Sequence, residues 1–196
     1  MNSILAGIMI AVAATTYLSI GGIAGACLFS LGLMTILVFK WDLFTGKAGL
    51  LATGEIKIGE LIEIWFGNLV GVFIGISVVL MSPIGEELSQ KAQEILAIRN
   101  ANSRFMNFVL GIGCGLLMYI AVNGFARSGS YLFVIFPVMS FILIGFNHCV
   151  ADMYYICMSC RSFSDFSSLI GTTFGNVLGC CAVPLLIHTE KNFESY

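Results

Sequence analysis

Lys40-Trp41-Asp42-Leu43-Phe44-Thr45-Gly46 and Gly145-Phe146-Asn147-His148-Cys149-Val150-Ala151-Asp152 are two polar interruptions in otherwise apolar sequence, with Asp42 and Asn147 105 positions apart. Beyond each one the apolar run resumes, over Ala48 to Ala52 and over Met153 to Met158. Neither tail has the ~20 residues that a crossing of the bilayer needs. Each interruption therefore reads as a break in a helix followed by a short half-helix. Irregular backbone at membrane depth survives only where protein or a watery cavity surrounds it. Breaks at matching places in two halves of a chain are the sequence signature of a transport site.

The surrounding composition supports that reading. The 196 residues are 58% hydrophobic and 10% charged, with a mean hydropathy of +0.97, whereas soluble domains carry roughly 25% charged residues. No Asp, Glu, Lys or Arg occurs in the 39 residues before Lys40. As helix that run would reach roughly 58 Å, nearly twice a hydrocarbon core of about 30 Å, so it predicts two crossings turning near Gly21-Gly22. Four further charge-free windows, Ile64 to Gly85, Phe105 to Ala126, Ser128 to Ala151 and Phe166 to Thr189, are 22 to 24 residues long. Each predicts one span. The total is six, and the continuous rather than alternating apolarity excludes a barrel.

The first segment lacks a basic n-region and is too long for a removable signal peptide. Six spans leave no room in this chain for a soluble catalytic domain. A net charge of -2 offers no basic surface for nucleic acid. Lys47, Lys57, Arg127 and Lys191 on one side balance Lys91, Arg99, Arg104 and Arg161 on the other, so the positive-inside rule favours neither orientation.

A second recurrence lies outside the breaks. Gly67-Asn68-Leu69-Val70-Gly71 in the third span returns as Gly175-Asn176-Val177-Leu178-Gly179 in the sixth, 108 positions later. Small residues one turn apart let helices approach closely in lipid. Two repeats of three spans each, an odd number, must enter from opposite sides. The predicted fold is thus an all-α membrane protein of six transmembrane helices in two inverted three-helix repeats, with the second and fifth helices broken. Residues 1–196 form one transmembrane domain: repeat one over about 1–82, an extramembrane connection over about 83–103, and repeat two over about 104–189.

Among polar residues inside the spans, His148 is the most informative. Ionisable groups at membrane depth are costly and functional by default, and imidazole exchanges protons in the physiological range. The plainer alternative is a ring satisfied locally by a carbonyl or by Asn147, holding the break in shape. Asp152 opens the second half-helix, either as a cap and first-turn acid favoured by the helix dipole or as a carboxylate stabilising a charged His148. Asp42 reads as a cap of the other half-helix. Thr45 reads as a hydroxyl donor to a crossing solute or as a turn residue. Leu43, Phe44 and Phe146 form an apolar constriction or simply pack. The N-termini of two half-helices aimed at the midplane favour an anion.

The seven cysteines mostly fall in apolar windows and read as small hydrophobes. Cys157-Met158-Ser159-Cys160 keeps a membrane thiol oxidoreductase open, with vicinal Cys180-Cys181 as a second pair. A neutral-solute channel of aquaporin type is the other alternative, although the Asn-Pro-Ala signature is absent. No cofactor and no metal are expected.

These motifs carry a family resemblance. Asp42-Leu43-Phe44-Thr45-Gly46 resembles the Glu-Leu-Phe-Thr-Gly loop of the formate/nitrite transporter family. Gly145 to Met153 resembles that family's Gly-x-Glu-His-x-x-Ala-Asn-Met break. Gly175-Asn176-x-x-Gly179 is similar to its last-helix Asn motif, and Asn68 to the corresponding Asn of the third helix. The resemblance implies an aquaporin-like protomer in a homopentamer, surrounded by lipid in the cell (inner) membrane. Each protomer would pass a small monovalent anion such as formate, nitrite or hydrosulfide. The resemblance implies that His148 is the central pore histidine, Asn176 its polar neighbour and Thr45 a residue of the first loop; the residues' own chemistry adds the expectation of a proton-linked path through them and Asp152. Leu43, Phe44 and Phe146 would line constrictions, and Arg99 or Arg104 would supply a vestibule cation. Three departures stand out: Asp42 and Asn147 occupy positions where the family has Glu, and Asp152 one where it has Asn.

Overall fold

The chain begins with two apolar helices, α1 (Asn2–Ile20) and α2 (Gly22–Val38), joined through Gly21 and Gly22 at φ 69° and 56°. The computed structural model describes residues 1–159 and 163–193, and the side chains of 1–159 and 165–187. After α2 come the one-turn α3 (Phe44–Lys47) running into a 3₁₀ turn at Ala48–Leu51, then α4 (Ile58–Leu80), α5 (Gly85–Ala101) and α6 (Arg104–Ser128). The chain continues with α7 (Leu132–Ile144), α8 (Cys149–Ser159) and α9 (Phe163–Phe193). Helices α1, α4, α6 and α9 are each long and apolar enough to cross a membrane. Helices α7 and α8 make a fifth span if their 53° bend is taken as one broken crossing, and α2 is a shorter apolar helix.

Two helix crossings organise the packing, α1 on α4 and α6 on α9. Both depend on glycine, because the backbones touch. A methyl group on Gly7 would overlap the Asn68 carbonyl, and one on Gly71 the Ile4 carbonyl. In the other crossing the overlaps would be Gly115 with the Asn176 carbonyl and Gly179 with the Ile112 carbonyl. Every pair is displaced by 108 from its counterpart. In lipid, where tails are as apolar as leucine, such close contact is what holds helices together.

The segment between α4 and α6, read from sequence as a connection, is itself helical. Helix α5 turns Leu88, Ala92 and Leu96 inward at helical spacing and packs along α8. Its polar groups tie it down. Ser89 Oγ donates to the Met158 carbonyl at 3.0 Å, Lys91 Nζ to the Leu18 carbonyl at 3.1 Å and Asn100 Nδ2 to Asp165 Oδ1 at 2.7 Å.

Candidate functional site

Both broken helices stop in the same way. In α2 the residue that turns the chain is Lys40 at φ 56°, and in α7 it is Gly145 at φ 86°. Trp41 N–H then reaches back to the Ile36 carbonyl and Lys40 N–H to that of Leu37; Phe146 N–H reaches Phe141 and Gly145 N–H reaches Ile142. Each is a Schellman ending, and corresponding residues lie 105 positions apart. Lysine in the left-handed region costs about 1–2 kcal/mol that glycine avoids.

Each half-helix is then hung on an asparagine. Asn68 Oδ1 accepts the Phe44 N–H at 2.8 Å, while its Nδ2 donates to the Asp42 carbonyl at 2.9 Å and the Ser3 carbonyl at 2.7 Å. Asn176 Oδ1 accepts the Cys149 N–H at 2.8 Å, while its Nδ2 donates to the Asn147 carbonyl at 2.8 Å and the Gly111 carbonyl at 2.9 Å. Phe44 and Cys149 open α3 and α8, so each amide satisfies an orphan N–H of a helix start.

Where the two starts meet, His148 Nε2 lies 2.9 Å from Thr45 Oγ1. The ring also caps its own helix, since Nδ1 accepts the Ala151 N–H at 3.2 Å while the His148 carbonyl accepts the Asp152 N–H at 2.8 Å. A backbone N–H can only donate. Nδ1 is therefore the acceptor nitrogen, and the ring proton sits on Nε2 and points at Thr45 Oγ1. The Thr45 hydroxyl hydrogen is left to be donated elsewhere. Phe141 stacks on the imidazole with centroids 5.6 Å apart and planes 16° from parallel.

Cavities lie on either side of this contact. One, of about 360 Å³, is lined by Thr45, Leu43, Lys40, Lys47, Tyr119 and Asn123 among others. The other, of about 340 Å³, is lined by His148, Phe146, Arg99, Asp152, Asn102 and Tyr155 among others. Thr45 lines the first cavity and His148 the second, both are only 2% exposed, and their hydrogen bond joins the two walls.

The structure thus places Leu43 and Thr45 on the first cavity and Phe146, His148, Asp152 and Arg99 on the second. Phe44, Asn176 and Arg104 line neither. Phe44 is buried with its backbone on Asn68, Asn176 spends its amide on backbone, and Arg104 is exposed at the start of α6. The caps and partners expected from sequence are also rearranged. Asp42 does not cap α3, whose cap position is Leu43 without a side-chain bond. It pairs instead with Lys47, 3.3 Å away. Asp152 sits in the first turn of α8, but its charged partner is Arg99, with Nε 3.5 Å from Oδ1. Arg99 Nη1 also donates to the Gly145 carbonyl at 3.3 Å.

Several contributors carry no signal in the sequence. Asn107 Oδ1 accepts from both Asn102 Nδ2 (3.2 Å) and Asn147 Nδ2 (3.0 Å), and its own Nδ2 donates to the Arg99 carbonyl at 2.8 Å. Phe141 and Tyr17 complete the second cavity's aromatic wall. These residues come from different helices, and no local pattern links them. Of the Cys157/Cys160 pair, Cys160 lies outside the described residues. Cys180 Sγ lies 3.3 Å from the Thr45 carbonyl and Cys181 Sγ 3.3 Å from that of Ala48, so this vicinal pair braces α3. Among the described residues no group of three or more His, Cys, Asp or Glu side chains is arranged to hold a metal ion.

Fold and site together define a multi-pass membrane protein with paired helix breaks around a buried Thr–His contact. The chain belongs to the formate/nitrite transporter family, whose model matches residues 1–189. That membership places it among transporters rather than enzymes and removes the thiol oxidoreductase. It is 30% identical over 184 residues to the formate channel FocA of Escherichia coli (strain K12), covering 80% of this chain and 64% of that protein. It is 28% identical over 185 residues to the uncharacterized transporter YrhG of Bacillus subtilis (strain 168), covering 82% and 68%. The chain therefore spans just under two thirds of the length of the formate channel it matches. Among solved structures it resembles a pentameric formate channel with formate bound, with TM-score 0.80, 24% identity and coverage of 98% and 96%. It also resembles an FNT family ion channel, with TM-score 0.84, 20% identity and coverage of 97% and 88%.

Proposed function

We propose that this protein carries a small monovalent weak-acid anion of the formate, nitrite or hydrosulfide type across the cell (inner) membrane, one proton accompanying each anion. The single observation that carries the reading is the 2.9 Å contact between Thr45 Oγ1 and His148 Nε2, buried between two cavities. The protomer is six spans in two inverted repeats (about 1–82 and 104–189, joined by 83–103), a reading supported by the matched Schellman endings and asparagine clamps. The homopentamer and the substrate class follow the similar pentameric formate channel. The proposed pathway residues are His148, Thr45 and Asp152, with Leu43 and Phe146 narrowing it. Asn176, and Phe44 through its backbone, hold the half-helices in place.

A bare anion entering this dry neck loses its hydration at high cost, whereas its neutral acid does not. The Thr45 hydroxyl, its oxygen engaged by His148 Nε2–H, offers its hydrogen to an anion in the first cavity. As the anion takes that proton, Thr45 takes the Nε2 proton, and Nδ1 receives one from the second cavity, releasing the Ala151 N–H. The neutral acid passes and dissociates. The ring then resets by taking a proton at Nε2 through Thr45 and losing the one on Nδ1 to the second cavity. Summed over the cycle, one anion and one proton leave the first cavity and appear in the second.

A permanently charged ring is the rival version. It is disfavoured because a second N–H at Nδ1 would face the Ala151 N–H. The test is uptake into proteoliposomes: His148→Asn should abolish anion-driven proton movement, and unchanged flux with unchanged pH dependence would refute the proposal.

A further inference from the structure

Arg99 reaches the second break from outside it, off the connecting helix α5. Its side chain is 12% exposed and that of Asp152 3%, and both line the second cavity. The buried Thr172 hydroxyl lies beside the same carboxylate. Arginine has five N–H donors in a fork suited to two-point binding of a carboxylate. Here the fork is not used that way. Nε faces one Asp152 oxygen at 3.5 Å and Nη1 is drawn off to the Gly145 carbonyl at 3.3 Å. The pairing is one-point and long, and donors remain on a guanidinium that borders the cavity.

We propose that Asp152 is a specificity-determining counter-ion that competes with the solute for Arg99. A planar anion with two oxygens can make the two-point contact that Asp152 does not make, so it can share or displace the carboxylate. A monatomic anion cannot, and Asp152 keeps it off. With Asp152 in place the cavity holds its solute weakly, which lets the anion leave. The proposal rests on the transport reading and narrows its solute: the second cavity takes planar two-oxygen monoanions such as formate and nitrite in preference to hydrosulfide. The chemistry is that of charge competition across a partly desolvated pair, where removing one partner exposes the other's full attraction.

The experiment titrates sodium formate against detergent-purified protein and reads the apparent Kd from the thermal midpoint, with sodium chloride as the monatomic control. Asp152→Asn should lower the formate Kd at least threefold, and Asp152→Glu should stay near the wild type. Arg99→Lys, which keeps the charge but loses the fork, should raise the formate Kd at least threefold. Chloride should shift the midpoint of wild type little and of Asp152→Asn more. An unchanged formate Kd in Asp152→Asn overturns the proposal, as does the absence of any formate-dependent shift. If Asp152→Asn does not yield folded protein, an unchanged Kd in Arg99→Lys overturns it instead. Flux is measured separately. Proteoliposomes that move no anion, beside binding constants that shift as stated, would sink the transport reading and leave the counter-ion standing.

Discussion

Asn68 and Asn176, 108 positions apart, perform the same task with the same atoms: each Oδ1 accepts the first N–H of a half-helix, and each Nδ2 ties two carbonyls together. Leaving a buried donor or acceptor unmet costs about 1–3 kcal/mol. Asn68→Ala and Asn176→Ala should each therefore lower the thermal midpoint in detergent by several degrees, at roughly 2–4 °C per kcal/mol for a chain of this size. Asn176→Asp should do at least as much harm, because a carboxylate accepts the Cys149 N–H but cannot donate to Gly111 and Asn147. A variant of either residue with an unmoved midpoint would show that its clamp is dispensable.

Lys40 sits at φ 56° where its counterpart in the second break is Gly145 at φ 86°. Lys40→Gly should stabilise the protein by about 1 kcal/mol by relieving the left-handed backbone, and Gly145→Ala should destabilise it by a similar amount. Thermal unfolding of the two variants side by side checks this. A fall in stability for Lys40→Gly would mean that the lysine side chain contributes more than its backbone costs.

The hydroxyl of Thr45 can be removed almost without changing its shape. Thr45→Val should cut anion flux at least tenfold in proteoliposomes, since general acid–base assistance is worth about 10²–10⁴, whereas Thr45→Ser should retain most of it. Under the proposed relay, flux in the wild type should rise as the pH on the entry side falls. Equal flux in the valine and serine variants would remove Thr45 from the relay.

The two glycine crossings leave no space for a side chain. Gly71→Ala and Gly179→Ala put a methyl group into the Ile4 and Ile112 carbonyls, and overpacking of this kind costs about 1–3 kcal/mol or more. Both should reduce the yield of folded protein and shift its elution in size-exclusion chromatography. A normal yield from Gly71→Ala would mean that α1 and α4 can part without loss.

Much of this protein is determined by local sequence alone. Two charge-free stretches interrupted at Lys40 to Gly46 and at Gly145 to Asp152 announce broken helices, because a charge or a turn at membrane depth is too costly to be casual. The recurring Gly-Asn-x-x-Gly motif announces the close crossings, since only glycine admits that approach. His148, Thr45 and Arg99 are each conspicuous as single residues. What only the tertiary structure decided is which of them meet. Thr45 and His148 are 103 positions apart, and their contact depends on two half-helices being hung from asparagines on two other helices. Asp152 turns from the histidine to Arg99 because α5, whose composition does not announce a buried helix, packs against α8 and delivers a guanidinium there. Asp42 leaves its cap for Lys47, little more than one helical turn on. Periodicity and charge spacing are properties of neighbours in sequence, whereas the partner of a buried polar group is chosen by whichever distant element the packing brings within hydrogen-bond reach.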